Sequence, residues 1–509
     1  MKNAQRLKTI PLYPLLLALY SPLMLIAANL GEVSPGKLAR VLIISLLIGA
    51  AVYALLRGLL RSWDRAAPLA AFLLLLFYTY GHVYGLLADA RIARIALGRD
   101  HALALPWLVL SAVGAALILR WRKPYPAGLH QVLNAAAAVL VGMALYQVVM
   151  PLVVSRQRAH IVQAAARANA PQYTAVQGDL PDVYWIILDG YERSDALSQD
   201  YRFDNQSFLA ELRELGFVIP NCTTSNYPKT IFSITSTVQM NYLEDLGEFL
   251  RPHGPALDHL TLHPLLMHNP VRERLDTLGY HTYAFGTAYE FANVYDADTY
   301  LHLPDDPWTR LTDFEQVFLC TTGLCPLQQA YLKYAQNQPG AVNARYYRRY
   351  QEVRFTLDEL EKIPALPGRK FVIAHVLAPH DPFVFSAAGE YVEYGVDRKG
   401  YVEEARYLNA RLLEIIKTIL AQSDTPPVIV IQGDHGWETR NRPLILNAYY
   451  LPGSSDSVYA AITPVNTFRV ILDEYFGGQW GRIEDKSYTG GPRGLDDWTL
   501  YSPRCARSS

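Results

Sequence analysis

The sequence has few cysteines, no excess of one charge and no repeated segment. Four cysteines in 509 residues are too few for a fold held together by disulfide bridges. Lys and Arg total 46 against 47 for Asp and Glu, and no basic block runs along the chain, so nothing in the charge suggests a nucleic-acid partner. No internal repeat or low-complexity tract is visible, which argues against a repeat protein or a largely disordered chain.

The few cysteines still leave open how they are bonded. Cys320 and Cys325 are close enough in sequence to bridge a loop if their domain lies outside the cytoplasm. Both the bridged and the reduced form agree with the sequence. Cys222 and Cys505 cannot be paired from the sequence.

Apolar residues are concentrated at the N-terminal end. Five apolar segments of about 20 residues, the length that crosses a hydrocarbon core, cover approximately residues 10–30, 38–57, 67–90, 102–121 and 129–153. The first is not a cleavable signal, because it contains prolines and further spans follow it. Five similar runs in succession argue against buried helices of a soluble protein. We therefore predict an integral protein of the inner or plasma membrane with a transmembrane domain over residues 1–153.

The orientation in the membrane depends on weaker evidence. Lys2, Arg6 and Lys8 precede the first span, which favours a cytoplasmic N-terminus. Basic residues in the other loops lie on both sides, so they add little. With five spans, everything after Pro151 is expected outside the cytoplasm.

The rest of the chain is typical of a globular domain. Residues 154–180 are polar and Ala-rich, and we interpret them as a juxtamembrane linker in preference to a helix that gates substrate. Over residues 181–452 strands alternate with helices, which predicts an α/β fold with a doubly wound, mainly parallel sheet. Residues 453–509 are predicted to extend this domain.

Two predicted strands end in residues that can bind a metal ion. The apolar run Val183–Leu188 is followed directly by Asp189, and a similar run over 428–432 is followed by Gly433, Asp434 and His435. Because the carboxyl ends of parallel strands meet at one edge of a sheet, we expect these side chains to lie close together. The sequence therefore predicts a metal site at this edge.

Thr230 is placed to cap or open a helix that begins at Ile231. A helix N-terminus binds phosphate or sulfate well, and a hydroxyl there can act as a nucleophile if a metal lowers its pKa. The alternative is that Thr230 only caps the helix.

A histidine follows a third predicted strand. His380 lies between Pro379 and Pro382, just beyond the strand at 371–377. Its imidazole could bind a metal or donate a proton to a leaving oxygen. His375, within the strand, is interpreted as an ordinary polar residue with its hydrogen bonds satisfied.

The motif set LDG, a Thr opening a helix, a His in a Pro-rich loop and GDHG resembles the sulfatase-like branch of the alkaline phosphatase superfamily. In layout the chain is similar to lipoteichoic acid synthases and phosphoethanolamine transferases. The resemblance implies that Asp189, Thr230, Asp434 and His435 bind one divalent metal ion: Mn, Zn or Mg. It further implies that Thr230 is the nucleophile and that His380 contacts the substrate phosphate. The implied reaction passes through a covalent phospho-threonine, from which water or an acceptor hydroxyl removes the group.

The sequence also departs from its relatives. True sulfatases carry Cys or Ser in the pattern C/S-x-P-x-R, which Cys222 does not match, so the formylglycine route is disfavoured. Asp189-Gly190 stands where many sulfatases have paired aspartates, which favours one metal over two.

The sequence thus predicts a membrane-anchored, metal-dependent phosphotransferase or phosphodiesterase that acts on lipid headgroups or cell-envelope glycans. Two alternatives remain: a sulfuric-ester hydrolase without formylglycine, and a catalytically inert membrane scaffold of the same fold. The donor, the acceptor and the oligomeric state stay open.

Overall fold

The computed structural model divides the chain into two compact units. It describes residues 10–505 except 34, 88–90, 93–94, 97–99, 122–124, 177, 249–258, 305–310, 339, 438–441, 491–497 and 503–504. The first unit, called here the membrane unit, consists of Met1–Val153 and Asp305–Ala341. The second, called the sheet unit, consists of Val154–Pro304 and Val342–Ser509.

The described residues of the membrane unit form five apolar helices, the last of which continues into the sheet unit: α1 (Tyr13–Ala28), α2 (Pro35–Leu60), α3 (Trp63–Leu87), α4 (Asp100–Arg120) and α5 (Ala127–Asn169). Helices α2 to α5 are long and apolar enough to cross a membrane, whereas α1 is shorter, at 16 residues. The prediction of five spans is therefore slightly off, since four meet this criterion among the described residues. The basic residues Lys2, Arg6 and Lys8 lie outside those residues. The protein is an integral membrane protein.

The last of these helices is the longest. Helix α5 has 43 residues and continues without interruption beyond Val153. Most of the predicted juxtamembrane linker is therefore a continuation of a membrane helix. Ala159 and Val162 of this continuation are buried in the core of the sheet unit.

The membrane unit also contains a segment that is distant in sequence. The described part of Asp305–Ala341 forms two further helices, α12 (Asp313–Thr321) and α13 (Cys325–Gln336). A capping box starts α12, because the Thr312 side chain accepts from the Glu315 N–H and the Glu315 side chain accepts from the Thr312 N–H. Two short strands, β1 (Arg91–Ile92) and β2 (Ile95–Ala96), pair in the loop between α3 and α4.

The sheet unit is built on a six-stranded sheet in the order β10-β9-β3-β6-β4-β5. The strands are β3 (Val183–Leu188), β4 (His281–Phe285), β5 (Thr299–Leu301), β6 (Lys370–Val376), β9 (Val428–Gly433) and β10 (Asn447–Tyr450). All neighbours are parallel except the edge strand β10, which is antiparallel to β9. The predicted α/β fold with a mainly parallel sheet is confirmed. Smaller antiparallel pairs are formed by β7 (Phe383–Phe385) with β8 (Tyr391–Gly395) and by β11 (Tyr488–Gly490) with β12 (Trp498–Leu500).

Helices cover both faces of this sheet. They are α6 (Ser194–Tyr201), α7 (Gln206–Glu214), α8 (Thr230–Gln239), α9 (Leu243–Glu248), α10 (His259–Met267), α11 (Pro270–Thr277), α14 (Ala344–Leu360), α15 (Arg398–Gln422) and α16 (Pro464–Tyr475). One core contains Trp185 of β3 with residues of α8 and α16. The opposite core contains Tyr184 of β3 with residues of α14 and α15. Burial on both faces explains why the central strands are continuously apolar.

The register of the central strands aligns their carboxyl ends. Ile187 of β3 lies opposite His375 of β6 and Gln432 of β9. Leu188 lies opposite Gly433 in the next row. The residues that follow β3 and β9 therefore meet at one edge of the sheet.

One disulfide bond is present, between Cys222 and Cys505, whose sequence separation is 283. This is the pair that the sequence left unassigned. Cys320 and Cys325 are not bridged, and their sulfur atoms lie 2.8 Å apart.

Candidate metal centre

Asp189 is fixed at the end of the central strand by the backbone and by a histidine. Its N–H donates to the Val376 carbonyl at 3.0 Å, which extends the pairing of β3 with β6 by one residue. The carboxylate is completely buried. Its Oδ2 accepts a hydrogen bond from His375 Nε2 at 3.2 Å.

The glycine after Asp189 permits a tight turn. Gly190 has φ +78°, and a Cβ there would lie 3.0 Å from the Pro379 carbonyl oxygen. Its N–H donates to Asp434 Oδ1 at 3.1 Å. The LDG motif therefore joins the ends of β3 and β9 through a backbone position that favours glycine.

Asp434 is oriented by two amide donors. Besides the Gly190 N–H, the His435 N–H donates to Oδ1 at 2.8 Å. These bonds hold one carboxylate oxygen and leave Oδ2 available, 3.5 Å from His435 Nε2.

His435 presents a lone pair to the same point. Its Nδ1 lies 3.0 Å from the Gly436 carbonyl oxygen; because a carbonyl only accepts, Nδ1 carries the hydrogen and Nε2 is the free base. The Arg442 guanidinium lies 3.4 Å from the same Nδ1 and donates to the Pro228 carbonyl at 3.0 Å. Nε2 lies 3.9 Å from Asp189 Oδ1, the arrangement expected of a histidine that binds a metal.

The residues present fit a divalent ion. Asp189, Asp434 and His435 each offer one ligand atom, and these atoms all lie within 4.8 Å of one another. Among the described residues no donor reaches Asp189 Oδ1 or Asp434 Oδ2, although both atoms are buried. An unpaired buried carboxylate oxygen is costly, and a cation between these atoms removes that cost. The group could thus hold a metal ion.

The protonation state of Asp189 agrees with this function. Burial raises the pKa of its carboxyl group, but the nearby imidazoles of His380, His375 and His435 outweigh burial and lower the pKa below the usual value. Asp189 is therefore charged at neutral pH, as a metal ligand must be.

Thr230 opens helix α8 but does not cap it. The N-cap is Lys229, which has an extended backbone and makes no side-chain cap bond. Thr230 is the first helical residue, and its Oγ1 lies 3.2 Å from His435 Nε2. The alternative that Thr230 serves as the N-cap is therefore wrong. The backbone N–H groups of the first turn have no acceptor within the helix and point toward this end.

The loop before Thr230 is held by the C-terminal part of the sheet unit. Asn226 donates to Thr463 Oγ1 at 3.0 Å and accepts from the Val465 N–H at 2.8 Å. The Thr224 and Ser487 hydroxyls lie 2.6 Å apart. These contacts position Thr230 through residues beyond 452.

His380 lies at the rim of the group. Its Nε2 is 3.8 Å from Asp189 Oδ1, and its Nδ1 lies 2.8 Å from the Asp381 carbonyl oxygen. Nδ1 therefore carries a hydrogen, and Nε2 is the nitrogen that can exchange a proton. The side chain is 17% exposed, so solvent or substrate can reach it. The structure thus brings all five predicted residues together.

Two contacts of the site were missed by the sequence interpretation. The sequence predicts an ordinary polar residue at His375, whereas this side chain is 3% exposed and donates to the Asp189 carboxylate. The available signal was its position one residue before the end of β6, on the face that carries Asp189. The Tyr289 hydroxyl lies 3.4 Å from His380 Nδ1 and 3.5 Å from Nε2. Burial raises the pKa of Tyr289 to about 12, so the phenol stays protonated.

A buried cation lies behind Tyr289. The Arg349 guanidinium is 5.5 Å from the Tyr289 ring centroid and donates to the Leu377 carbonyl at 2.8 Å. Glu404 is fully buried nearby and accepts from the Val384 N–H at 2.8 Å. Burial raises the pKa of Glu404 to about 8. These two groups bond the backbone on either side of the loop of His380, at Leu377 and Val384.

Comparison with known proteins gives likeness in structure only. No protein-family model matches the chain, and no curated protein sequence matches it. The C-terminal periplasmic domain of EcEptC from Escherichia coli matches with 14% identity over 65% of this chain and 96% of that chain, with a TM-score of 0.39.

Two further structures are similar at the same level. The integral membrane lipooligosaccharide phosphoethanolamine transferase A of Neisseria meningitidis matches with 12% identity over 92% of this chain and 96% of that chain, with a TM-score of 0.39. A putative sulfatase from Bacteroides fragilis matches with 11% identity over 60% of this chain and 76% of that chain, with a TM-score of 0.35.

Proposed function

We propose that the protein is a membrane-anchored, metal-dependent phosphotransferase or phosphodiesterase in which Thr230 is the nucleophile. The observation that carries this proposal is the position of Thr230 Oγ1, 3.2 Å from His435 Nε2. His435 itself belongs to a buried group with two unpaired carboxylate oxygens. Such a hydroxyl at a helix N-terminus combines a nucleophile, a metal site and an anion site.

The metal that we assign to Asp189, Asp434, His435 and Thr230 is a single divalent ion: Mn, Zn or Mg. When bound, it supplies positive charge beside the Thr230 hydroxyl and the transferred phosphoryl group. Two carboxylates, an imidazole and a hydroxyl suit each of these ions.

The chain's own residues account for the steps of the reaction. Thr230 loses its proton to solvent, its Oγ1 forms a bond to phosphorus, and the bond from phosphorus to the leaving oxygen breaks. His380 donates a proton from Nε2 to that oxygen. In the second step His380 takes a proton from water or an acceptor hydroxyl, whose oxygen bonds to phosphorus. The bond from phosphorus to Thr230 Oγ1 then breaks, and Thr230 regains a proton from solvent. The amides of the first turn of α8 hold the phosphoryl oxygens throughout.

The substrate that we propose is a lipid headgroup or a cell-envelope glycan, outside the cytoplasm. The spanning helices support a substrate at the bilayer. The disulfide bond between Cys222 and Cys505 supports an extracytoplasmic sheet unit, because such bonds persist in oxidising compartments. We assign catalysis to residues 181–452 and the support of the Thr230 loop to residues 453–509.

The two alternatives are less well supported. Sulfatase chemistry through formylglycine requires an unbonded Cys or Ser, whereas Cys222 is consumed in a disulfide bond; a sulfatase without formylglycine would need Thr230 instead. An inert scaffold has no need for two buried carboxylate oxygens without donors.

The test is a comparison of Thr230→Ala and Thr230→Ser in the purified full-length protein. We expect Thr230→Ala to lose at least about 100-fold in turnover of p-nitrophenyl phosphate mono- or diesters. Its metal content should be largely retained through Asp189, Asp434 and His435. Thr230→Ser keeps the hydroxyl and is expected to retain part of the activity. Mass spectrometry of quenched wild type should find a phosphate on Thr230.

Each alternative has its own signature in this experiment. Full activity of Thr230→Ala would exclude Thr230 as the nucleophile. Faster turnover of p-nitrophenyl sulfate than of the phosphate esters would favour the sulfatase. No bound divalent ion after reconstitution would favour the scaffold.

A further inference from the structure

The segment Asp305–Ala341 belongs to the membrane unit although both of its neighbours in sequence belong to the sheet unit. It leaves the sheet unit after β5 and returns to it at α14. Residues 311–336, which contain both helices, are called here the α12–α13 hairpin. It therefore belongs to the same unit as the apolar spanning helices.

Backbone contacts fix the hairpin to helix α3. The Gly323 N–H, in the turn of the hairpin, donates to the Phe77 carbonyl at 2.7 Å. A Cβ on Gly81 would lie 1.9 Å from the Cys320 carbonyl oxygen, so the backbones of α3 and of the hairpin are in direct contact there. Phe77 comes ten residues before the end of α3 at Leu87, or roughly 15 Å along the helix axis. The hairpin therefore packs along the side of a spanning helix and not only on its end.

The inner side of the hairpin is packed against the spanning helices. Phe314 and Phe318 are buried in a core with Tyr78 of α3. Glu315 forms an ion pair with Arg40 of α2. These contacts leave one side of the hairpin facing outward.

The outward side of α13 is an apolar stripe. Leu327, Tyr331 and Tyr334 are 67%, 67% and 66% exposed, and Ala330 between them is exposed as well. Spacings of three and four residues place these side chains on one face of the helix. Three large exposed side chains in one row are unfavourable in water.

The stripe lies close to spanning helix α4, which has exposed apolar side chains of its own. Cys325, at the start of α13, packs with Leu103 and Trp107 of α4. Leu105 and Leu108 of α4, in the same turns, are 67% and 66% exposed. The start of α13 therefore packs against one side of α4, and the other side of α4 in the same turns is apolar and exposed.

We propose that the apolar stripe of α13 docks on the lipid bilayer, in its interfacial layer. Tyr side chains favour the boundary between lipid and water, where the ring is apolar and the hydroxyl is hydrated. The hairpin carries only three charged residues: Asp313, the paired Glu315, and Lys333, which is exposed beside the stripe. Because both ends of the segment lead into the sheet unit, docking attaches that unit to the bilayer at a second point besides α5.

The test is photocrosslinking of the full-length protein in vesicles of phosphatidylethanolamine and phosphatidylglycerol. Benzoylphenylalanine replaces Tyr331, and mass spectrometry identifies what its peptide captures after irradiation. Leu55 of α2, 64% exposed, is the matched site for a side chain on a spanning helix. Val396 of the sheet unit, 67% exposed, is the matched site outside the membrane unit.

We expect phospholipid adducts at 331 and 55, with at least about tenfold less at 396. Capture of a second copy of this chain at 331 would identify that surface as a protein interface and overturn the proposal. Lipid capture at 331 no greater than at 396 would place the stripe in water, with the same consequence. If the variant at 331 fails to fold, the same substitution at Tyr334 replaces it. Adding Leu327→Glu places a charge in the stripe and should reduce lipid capture at 331. Capture by random collision of the protein with vesicles would not depend on this substitution.

Discussion

Replacing Asp434 by Asn should stabilise the metal-free protein and remove most of the stabilisation that metal gives to wild type. The two bonds to Oδ1, from the Gly190 and His435 N–H groups, can be kept by the Asn carbonyl. The unpaired Oδ2 becomes an NH₂ group, which is neither charged nor a metal ligand. We expect the Kd of the metal to rise at least about 100-fold, because even residues that only orient a ligand contribute 10–100-fold.

The magnitudes follow from the binding equilibrium. With metal at 100 times the wild-type Kd, wild type gains about 2.7 kcal/mol of unfolding free energy, from RT ln(1 + [L]/Kd). The variant, with Kd raised about 100-fold, gains only about 0.4 kcal/mol. At roughly 2 °C per kcal/mol for a large domain, metal should raise Tm by roughly 5 °C in wild type and by about 1 °C in the variant.

Without metal, the Asp434→Asn variant should be more stable than wild type. Two buried carboxylates then face each other with unpaired oxygens, and removing one charge stabilises the protein by about 1–3 kcal/mol. Thermal unfolding of the full-length protein in detergent, with chelator and then with each metal, measures both effects.

Asp485→Asn is the matched control. Asp485 accepts bonds from Tyr459, Thr463 and Asn466, so the control should lose stability in both conditions and keep the full metal effect. A metal-free Asp434→Asn protein less stable than wild type, or one with an unchanged metal effect, would refute the metal site.

Two further predictions concern the groups around His380. Tyr289→Phe should lower kcat about tenfold with metal content unchanged, because the phenol orients the imidazole; Tyr295→Phe, whose hydroxyl bonds the Glu290 carbonyl, should not. Burial raises the pKa of Glu404 to about 8 from 4.5, so the folded state holds a proton that the unfolded state releases, and stability falls as pH rises from about 4.5 to 8. Glu404→Gln should therefore gain Tm relative to wild type as pH rises through this window; a pH-independent difference between the two proteins would show that Glu404 does not titrate in this range.

The sequence interpretation succeeded where chemistry and strand ends coincide. Asp189 and Asp434 each follow a buried apolar run, and parallel strands place their carboxyl ends at one edge, so their meeting could be predicted without knowing the strand order. The contact of His375 with Asp189 required that order, because it depends on β6 lying beside β3.

Other features arise from long-range packing that no local pattern records. Tyr289 contacts His380 from a loop after β4. Nothing in the sequence distinguishes this tyrosine from the others, so the contact could not be predicted. The apolar residues of the α12–α13 hairpin have the spacing of any amphipathic helix, so the sequence does not predict that the hairpin packs against α3. The pairing of Cys222 with Cys505 depends on how two distant loops meet.

The disulfide bond between Cys222 and Cys505 determines when, relative to synthesis, the loop of Thr230 can be completed. Cys222 leads into the loop of Thr230, and Cys505 follows it by 283 residues. Asn226 in that loop also bonds the Lys486 carbonyl at 2.8 Å. The loop that carries the proposed nucleophile is therefore synthesised early but completed only after residues up to Cys505 have reached the same compartment. If the sheet unit lies outside the cytoplasm, as proposed above, a chain halted during export would contain every proposed metal ligand and still lack this cross-link.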